Sequence, residues 1–184
     1  TYSVSQRQLF VRHAGGVRHP VNLPEGVMRF SLTRRTLTPV STNDAASLFA
    51  LEGNLRLIEF HSKANALTDE SMQIVATAAK DHGAGIIVHN DAQHFSAGVD
   101  LNAFRAMIEA KDWDGIDRFL WRFQMAVKAL KYTPVPVVGA PSGLGVGGGF
   151  EVLAHCDKLV VHSNSVLGLV ESAVGVVPSG GGVK

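Results

Sequence analysis

A single cysteine in 184 residues leaves no material for a disulfide framework or a four-cysteine zinc site. An excess of one charge is also missing. Seventeen Lys and Arg stand against sixteen Asp and Glu, a net of +1, which gives no general reason to expect nucleic acid or an anionic membrane as partner. The longest uncharged run, Thr133 to Phe150, approaches the length of a membrane span but holds six Gly and three Pro, so no membrane insertion is expected. No basic segment followed by an apolar one opens the chain, so no secretory signal is read and a cytoplasmic, reducing setting is expected. The phosphate-loop pattern G-x-x-x-x-G-K-[ST], the nucleophile elbow G-x-S-x-G and the zinc pattern H-E-x-x-H are all absent. What is present is a 46% apolar composition, which excludes disorder for the bulk of the chain. At roughly 100–200 residues per domain, the length allows one domain, alone or with an appendage.

The balanced charge hides an asymmetry. Residues 1–42 carry Arg7, Arg12, Arg18, Arg29, Arg34 and Arg35 against Glu25 alone, a net of +5, so the remainder carries −4. The chain therefore divides near Asn43 into a basic linker, or the tail of a preceding domain, and a core over residues 43–184. In the basic stretch only Met28 to Leu37 shows a pattern, where Phe30, Leu32 and Arg34 alternate as in a short strand. The arginines are scattered among His, Pro and Gly, which favours a linker over a polyanion-binding arm. A start at Thr1 and a stop at Lys184, just past a glycine cluster, point to a piece of something longer.

From residue 45 the signals become regular. Ala46–Leu51 and Leu55–Phe60, separated by Glu52-Gly53-Asn54, read as a hairpin. Thr68 can cap a helix whose first turn holds Asp69 and Glu70, and Gly83 and Gly85 close it before the strand Ile86–His89. A short helix from about Leu101 precedes a longer one over Ile116–Lys131, where Ile116, Phe119, Leu120, Phe123, Val127 and Leu130 recur at helical spacing. Strands at Pro134–Val138 and Lys158–His162 flank a glycine turn and a helix from about Gly149 to His155. Strands alternating with helices define an α/β domain with largely parallel strands.

Several candidates for chemistry are weak. Gly143-Leu-Gly145-Val-Gly147-Gly148 fits G-x-G-x-x-G between a strand and a helix, but no acid occurs near His162 to Asn164 to bind a ribose, so nicotinamide binding here is not expected. Glu151 and His155 lie four apart on one helical face, yet no third metal ligand is evident and His155 reads as a helix-end residue. His89 and His94 flank a loop and read as solvated. Cys156 has no helix N-terminus or basic group to activate it.

Two longer segments remain, His94-Phe-Ser-Ala-Gly-Val-Asp-Leu101 and Pro136 to Glu151, with Val166 to Glu171 behind them. With the Asn65-Ala-Leu67 turn and the Cys156-Asp157 pair, they make the chain resemble the crotonase, or enoyl-CoA hydratase/isomerase, superfamily over residues 45–184. Arg122-Phe-Gln, Leu130-Lys-Tyr and Gly175-Val-Val-Pro-Ser-Gly-Gly-Gly resemble more closely the crotonase-like domain that follows a 3-hydroxyacyl-CoA dehydrogenase region in multifunctional fatty-acid oxidation proteins.

The resemblance implies a spiral of β-β-α units lacking its C-terminal helices, and hydration of a 2-enoyl-CoA thioester within a larger protein. Double-bond isomerisation and a non-catalytic acyl-CoA-binding or docking module are the alternatives. It implies Glu151 and Glu171 as the catalytic pair, with Glu151 activating water and Glu171 protonating C2. Their neighbours, Phe150 and Val152 for one and Leu169 and Val170 for the other, suit burial that would separate their proton affinities. The backbone N–H groups of Val99 and Gly148 would form the oxyanion hole. Extended backbone at Lys63, Ala64 and Asn65 and at Ala97, Gly98, Asp100 and Leu101 would hold coenzyme A, with Lys63 placed to meet phosphate. No cofactor is expected for hydration, coenzyme A arriving with the substrate, and NAD would enter only with a dehydrogenase domain. A homo-oligomer, or contact with a fused dehydrogenase, is the expected assembly.

Overall fold

The computed structural model describes residues 2–5, 8–12, 14–27 and 29–183; Arg7 and Met28 lie outside them. The chain forms two units, residues 1–38 and 39–184. In the first, β1 (Tyr2–Ser5), β2 (Gln8–Arg12) and β3 (Arg18–Val21) make an antiparallel sheet in that order. Gly15 and Gly16, both at positive φ, turn the chain between the last two strands. The alternation at Phe30, Leu32 and Arg34 does not give a strand. Residues there form the short helix α1 (Phe30–Thr33) and a 3-10 turn over Arg34–Thr36. The N–H groups of Leu32 and Thr33 bond back to Arg29 O, a local partner that a lone strand would lack.

The boundary expected at 42/43 also moves. β4 (Ser41–Thr42) pairs antiparallel with β5 (Ala46–Leu51), so residues 39–42 belong with the core. The hairpin continues through a 3-10 turn at Glu52–Asn54 into β6 (Leu55–Phe60), with Gly53 at φ +72° where other residues would be strained. Next come α2 (Asp69–Lys80), β7 (Gly85–Val88), α3 (Leu101–Glu109), α4 (Trp113–Lys131), β8 (Val137–Gly139), β9 (Leu144–Val146), α5 (Gly148–Ala154), β10 (Lys158–Leu159) and β11 (Val166–Gly168). The main sheet runs β10-β8-β7-β6-β5-β4, parallel from β10 to β6 and antiparallel beyond. β9 and β11 pair in parallel, and Ser96 bridges to Gly145 beside them. Successive turns of the chain thus repeat a strand in the main sheet, a short strand or bridge, and a helix.

Physical signals in the sequence set the helix ends. Thr68 Oγ1 accepts from Ser71 N and Ser71 Oγ accepts from Thr68 N, a reciprocal cap for α2. The start of α4 lies at Trp113, ahead of the expected Ile116, because the Asp112 carboxylate accepts from Gly115 N. A Cβ on Gly115 would stand 2.1 Å from Asp112 Oδ2, so any larger residue there would make the capping carboxylate shift. The strand expected over Pro134–Val138 is confined to Val137–Gly139, since neither Pro134 nor Pro136 can donate to a ladder. Likewise the last expected strand stops at Leu159, and only single bonds continue, from Val160 N to Gly139 O and His162 N to Pro141 O. α2 packs on the sheet and α4 on α2, around a core that includes Leu48, Ile58, Phe60, Val75, Val88, Phe123 and Leu130. No helix among the described residues is long and apolar enough to cross a membrane.

Candidate functional site

Two loops and β9 are laced together to make the site. Segment 94–100 lies between 62–67 on one side and 144–146 on the other. On the first side Leu67 N bonds Gly98 O at 2.7 Å, Asp100 N bonds Leu67 O at 3.0 Å, and Ala97 N bonds Ala64 O at 3.2 Å. On the second, Ser96 N bonds Leu144 O at 3.0 Å and Val146 N bonds Ser96 O at 3.2 Å. The fully buried Ser96 ties the lattice together, its hydroxyl donating to Asn65 O at 2.8 Å and accepting from Gly98 N at 3.1 Å. Buried groups matched in this way resist displacement, because breaking one bond strands its partner.

Against this lattice sits the N-terminus of α5. Gly147 caps it at φ +53°. Gly148 has no room for a side chain, because a Cβ would stand 2.7 Å from Val99 Cγ2 and 3.4 Å from Val99 N. Gly98, at φ +92°, faces Gly148 N in the same manner, with its Cβ position 3.5 Å away. Val99 N and Gly148 N are therefore close neighbours. Neither meets a protein acceptor among the described residues. Two unused donors at a helix N-terminus suit an oxygen that gains negative charge.

One turn into α5, Glu151 is only 2% exposed. The neighbours expected to bury it are not its lid, because Phe150 and Val152 adjoin it in sequence and so project from other sides of the helix. The cover comes from the turn over residues 178–182. Gly182 N donates to Glu151 Oε1 at 2.9 Å, and a Cβ on Gly180 would meet Glu151 Oε2 at 2.4 Å. Burial pushes the Glu151 carboxyl above its ordinary range, opposed by the Gly182 amide, raised further by the negative charge of Glu171, and lowered again by the amides of Gly180 and Gly181.

Glu171 opens the 3-10 turn Glu171–Val174. Its Oε1 lies 3.3 Å from the Cβ position of Gly147, at the cap of the helix that carries Glu151. Its Oε2 is buried with no hydrogen-bond partner. Leu169 and Val170 do not enclose it as expected, being 40% and 43% exposed. The carboxylate is thus held at the edge of the site with one oxygen uncommitted.

The remaining expected residues divide. Asn65 is buried and spends its side chain on His94 O at 2.9 Å, so it frames the loop. Asp100 caps α3 by accepting from Asn102 N at 3.0 Å. Lys63, Ala64, Ala97 and Leu101 line an exposed rim, Leu101 at 64%. Ala64 and Asn65 adopt φ of +57° and +51°, a left-handed conformation uncommon for such residues and often found where backbone serves a ligand. An open cavity of about 430 Å3, lined by Leu67, Asp100, Phe104, Met107, Phe119 and Arg122 among others, adjoins the lattice but does not include the two glutamates.

The histidines expected in solvent are structural. His89 Nδ1 bonds Ala140 O at 2.8 Å, and His94 Nδ1 accepts from Leu144 N at 3.2 Å. His155 sits at the end of α5 with Nδ1 donating to Glu151 O at 2.7 Å. Among the described residues no three His, Cys, Asp or Glu gather to hold a metal. The Cys156 thiol is pushed up to about 12, by burial and then by Asp157, and is inert at neutral pH. Sequence reasoning missed Ser96, Phe123 and the 179–182 turn as parts of the site; only the Ser of Phe-Ser-Ala-Gly and the glycine run pointed to any of them.

An α/β spiral that juxtaposes two free backbone donors and two carboxylates defines a class, and sequence comparison assigns it. The profile of the enoyl-CoA hydratase/isomerase family matches residues 52–184, and the chain belongs to that family. It is 32% identical over 154 residues to a probable 3-hydroxyacyl-CoA dehydrogenase of Bacillus subtilis, covering 82% of this chain and 20% of that protein. It is 30% identical over 147 residues to a putative fatty acid oxidation complex trifunctional enzyme of Rickettsia felis, covering 78% of this chain and 20% of the relative. The crotonase fold is shared with an enoyl-CoA hydratase from Polaromonas sp. JS666, at TM-score 0.69 and 23% identity, over 75% of this chain and 56% of that one. A putative enoyl-CoA hydratase from Thermobifida fusca in complex with acetoacetyl-CoA superposes at TM-score 0.66 and 21% identity, over 77% of this chain and 60% of the other. The chain therefore spans about a fifth of those two relatives and little more than half of these structures.

Proposed function

We propose that this chain carries the enoyl-CoA hydratase site of a larger fatty-acid β-oxidation protein, adding water across the C2–C3 double bond of a 2-enoyl-CoA. The observation that carries the reading is the meeting of two carboxylates, Glu151 buried and amide-held and Glu171 with an uncommitted oxygen, beside the free N–H groups of Val99 and Gly148. Hydration needs one group to take a proton from water and another to supply one, whereas moving a double bond needs a single shuttle.

In the proposed mechanism the thioester oxygen lies between Val99 N and Gly148 N, the oxyanion hole. Glu151 takes a proton from water as the water oxygen bonds to C3. The π electrons move toward the carbonyl, the two donors hold the enolate charge, and Glu171 delivers its proton to C2. The product carries the added hydrogen and hydroxyl, and the carboxylates exchange one proton with solvent to reset. Coenzyme A comes with the substrate, its phosphates near Lys63 and its pantetheine along Ala64, Ala97, Gly98 and Leu101. The acetoacetyl-CoA complex of the Thermobifida neighbour supports a thioester as ligand. No further cofactor takes part in this step, and NAD would belong to a dehydrogenase domain such as the names of the relatives imply. A homo-oligomer or a dehydrogenase contact is proposed as the assembly, and the cytoplasm as the setting.

The test is turnover by the complete protein with 2-enoyl-CoA and 3-enoyl-CoA offered separately. Hydration of the 2-enoyl ester, lost by at least about a hundredfold in Glu151→Gln and in Glu171→Gln, is the expected result. Turnover of the 3-enoyl ester alone would identify an isomerase, tight binding with no turnover a docking module, and undiminished hydration by Glu171→Gln would remove that residue from its role.

A further inference from the structure

The turn that covers Glu151 is held from outside the site. Its residues 179–182 rest on α4, where Phe123 is fully buried and stands 2.7 Å from the Cβ position of Gly180 and 3.4 Å from that of Gly148. The next residue, Gln124, donates from Nε2 to Ser179 O at 2.7 Å. Two consecutive α4 side chains therefore touch the turn, one by packing and one by a directed bond. Three residues beyond Ser179, Gly182 N donates to Glu151 Oε1. Other contacts fix where the turn lies, since Gly181 packs on Val127 and His155.

We propose that Gln124 is a positioning residue for the general base: by holding Ser179 O it aims the 179–182 amides at the Glu151 carboxylate. The proposal rests on the hydratase reading for the word base, but the geometry it asserts does not depend on turnover. The titratable groups facing Glu151 are Glu171, across the N-terminus of α5, and His155, whose ring bonds Glu151 O. From α4 the contacting side chains are Phe123, Val127 and Gln124, none of them ionisable. Amide donors favour the ionised carboxylate, so loosening their aim while the turn still excludes water raises the proton affinity of Glu151.

The decisive variant is Gln124→Met in the complete protein, which keeps length and bulk and removes the donor. Lys128→Met, on the exposed side of the same helix, is the control. Two measurements are made, the pH dependence of kcat/KM for a short 2-enoyl-CoA and the carboxyl stretch of Glu151 in infrared difference spectra against Glu151→Gln. In Gln124→Met the acid limb and the infrared titration are both expected to move up by about one pH unit, as follows from weakening one hydrogen bond to a charged group. KM and the rate at the alkaline plateau should stay within about threefold, and the control should match wild type. An unmoved titration, or one moved down, overturns the proposal. If Gln124→Met fails to fold, Gln124→Asn, whose amide falls short of Ser179, is judged by the same shift. If wild type hydrates nothing, the hydratase reading fails while the infrared titration still decides the role of Gln124.

Discussion

The inner wall of the site and its outer rim are built on opposite principles. On the inner wall Gly148, Gly149 and Gly180 have no space for a methyl group, and Glu151 is sealed beneath backbone amides. On the rim Lys63, Ala64, Ala97 and Leu101 face solvent. Under the proposed hydratase reading, the difference separates chemistry on the wall from grip on the rim. Charge that develops during reaction is best met by dipoles that cannot move, and only a packed wall supplies them. A long, flexible ligand needs only extended backbone and a phosphate contact, which an open rim provides. Substitutions on the wall should therefore lower kcat, and substitutions on the rim should raise KM.

The largest loss is expected from Glu151→Gln, on the order of 10²–10⁴ in kcat with KM little changed, read by initial rates of the complete protein. The same residue gives the pH prediction. Burial raises its proton affinity and Glu171 adds to this, so the base form is lost as pH falls through a value above the ordinary ~4.3 of a glutamate. The acid limb of kcat/KM should accordingly lie above that value and vanish in Glu151→Gln. A limb at or below it would mean that the wall does not seal the carboxylate.

Next in size is Gly148→Ala. Its methyl would stand 2.7 Å from Val99 Cγ2, so Val99 or the start of α5 has to shift, which disturbs the spacing of the two donors. A loss of about 10²–10³ in kcat is expected, comparable to removing one oxyanion donor. Ser96→Ala should cost less activity but more stability, about 1–3 kcal/mol in chemical denaturation, because Gly98 N loses a buried partner. A Ser96→Ala protein with unchanged stability would show that the loop lattice does not depend on this hydroxyl.

The wall and the rim also differ in how far the sequence reveals them. Capping by Thr68, the hairpin across Gly53 and the helical stripe of Phe119, Phe123 and Val127 follow from local chemistry, and each appears where its residues require it. Glu151, Glu171, Val99 and Gly148 were legible through ordered motifs, and the structure brings all four into one place. What surrounds them was not. Phe150 and Val152 looked like the lid of Glu151, yet the lid is a turn some thirty residues later, joined to α4 by long-range contacts that have no local signature. Strands β1–β3 escaped for a different reason: at four or five residues each they are too short for a periodic signal, and Pro20 stands inside the last. Asn65 and Asp100 add a detail that motif position does not carry, since their side chains serve the loop and a helix cap while their backbone is the part expected to meet ligand.

The rim gives the smallest expected effect and the sharpest contrast. Lys63 is exposed at a 3-10 turn beside the left-handed Ala64 and Asn65, so its ammonium can reach a phosphate only through solvent-screened attraction. Exposed ion pairs contribute at most about 1 kcal/mol, so Lys63→Ala should raise KM by roughly two- to fivefold and leave kcat unchanged. Because the Debye length shrinks to about 3 Å at 1 M salt, wild type and variant should converge in KM as salt is raised. A fall in kcat, or a KM difference indifferent to salt, would instead place Lys63 with the wall, acting on the reacting atoms through the loop it shares with Asn65.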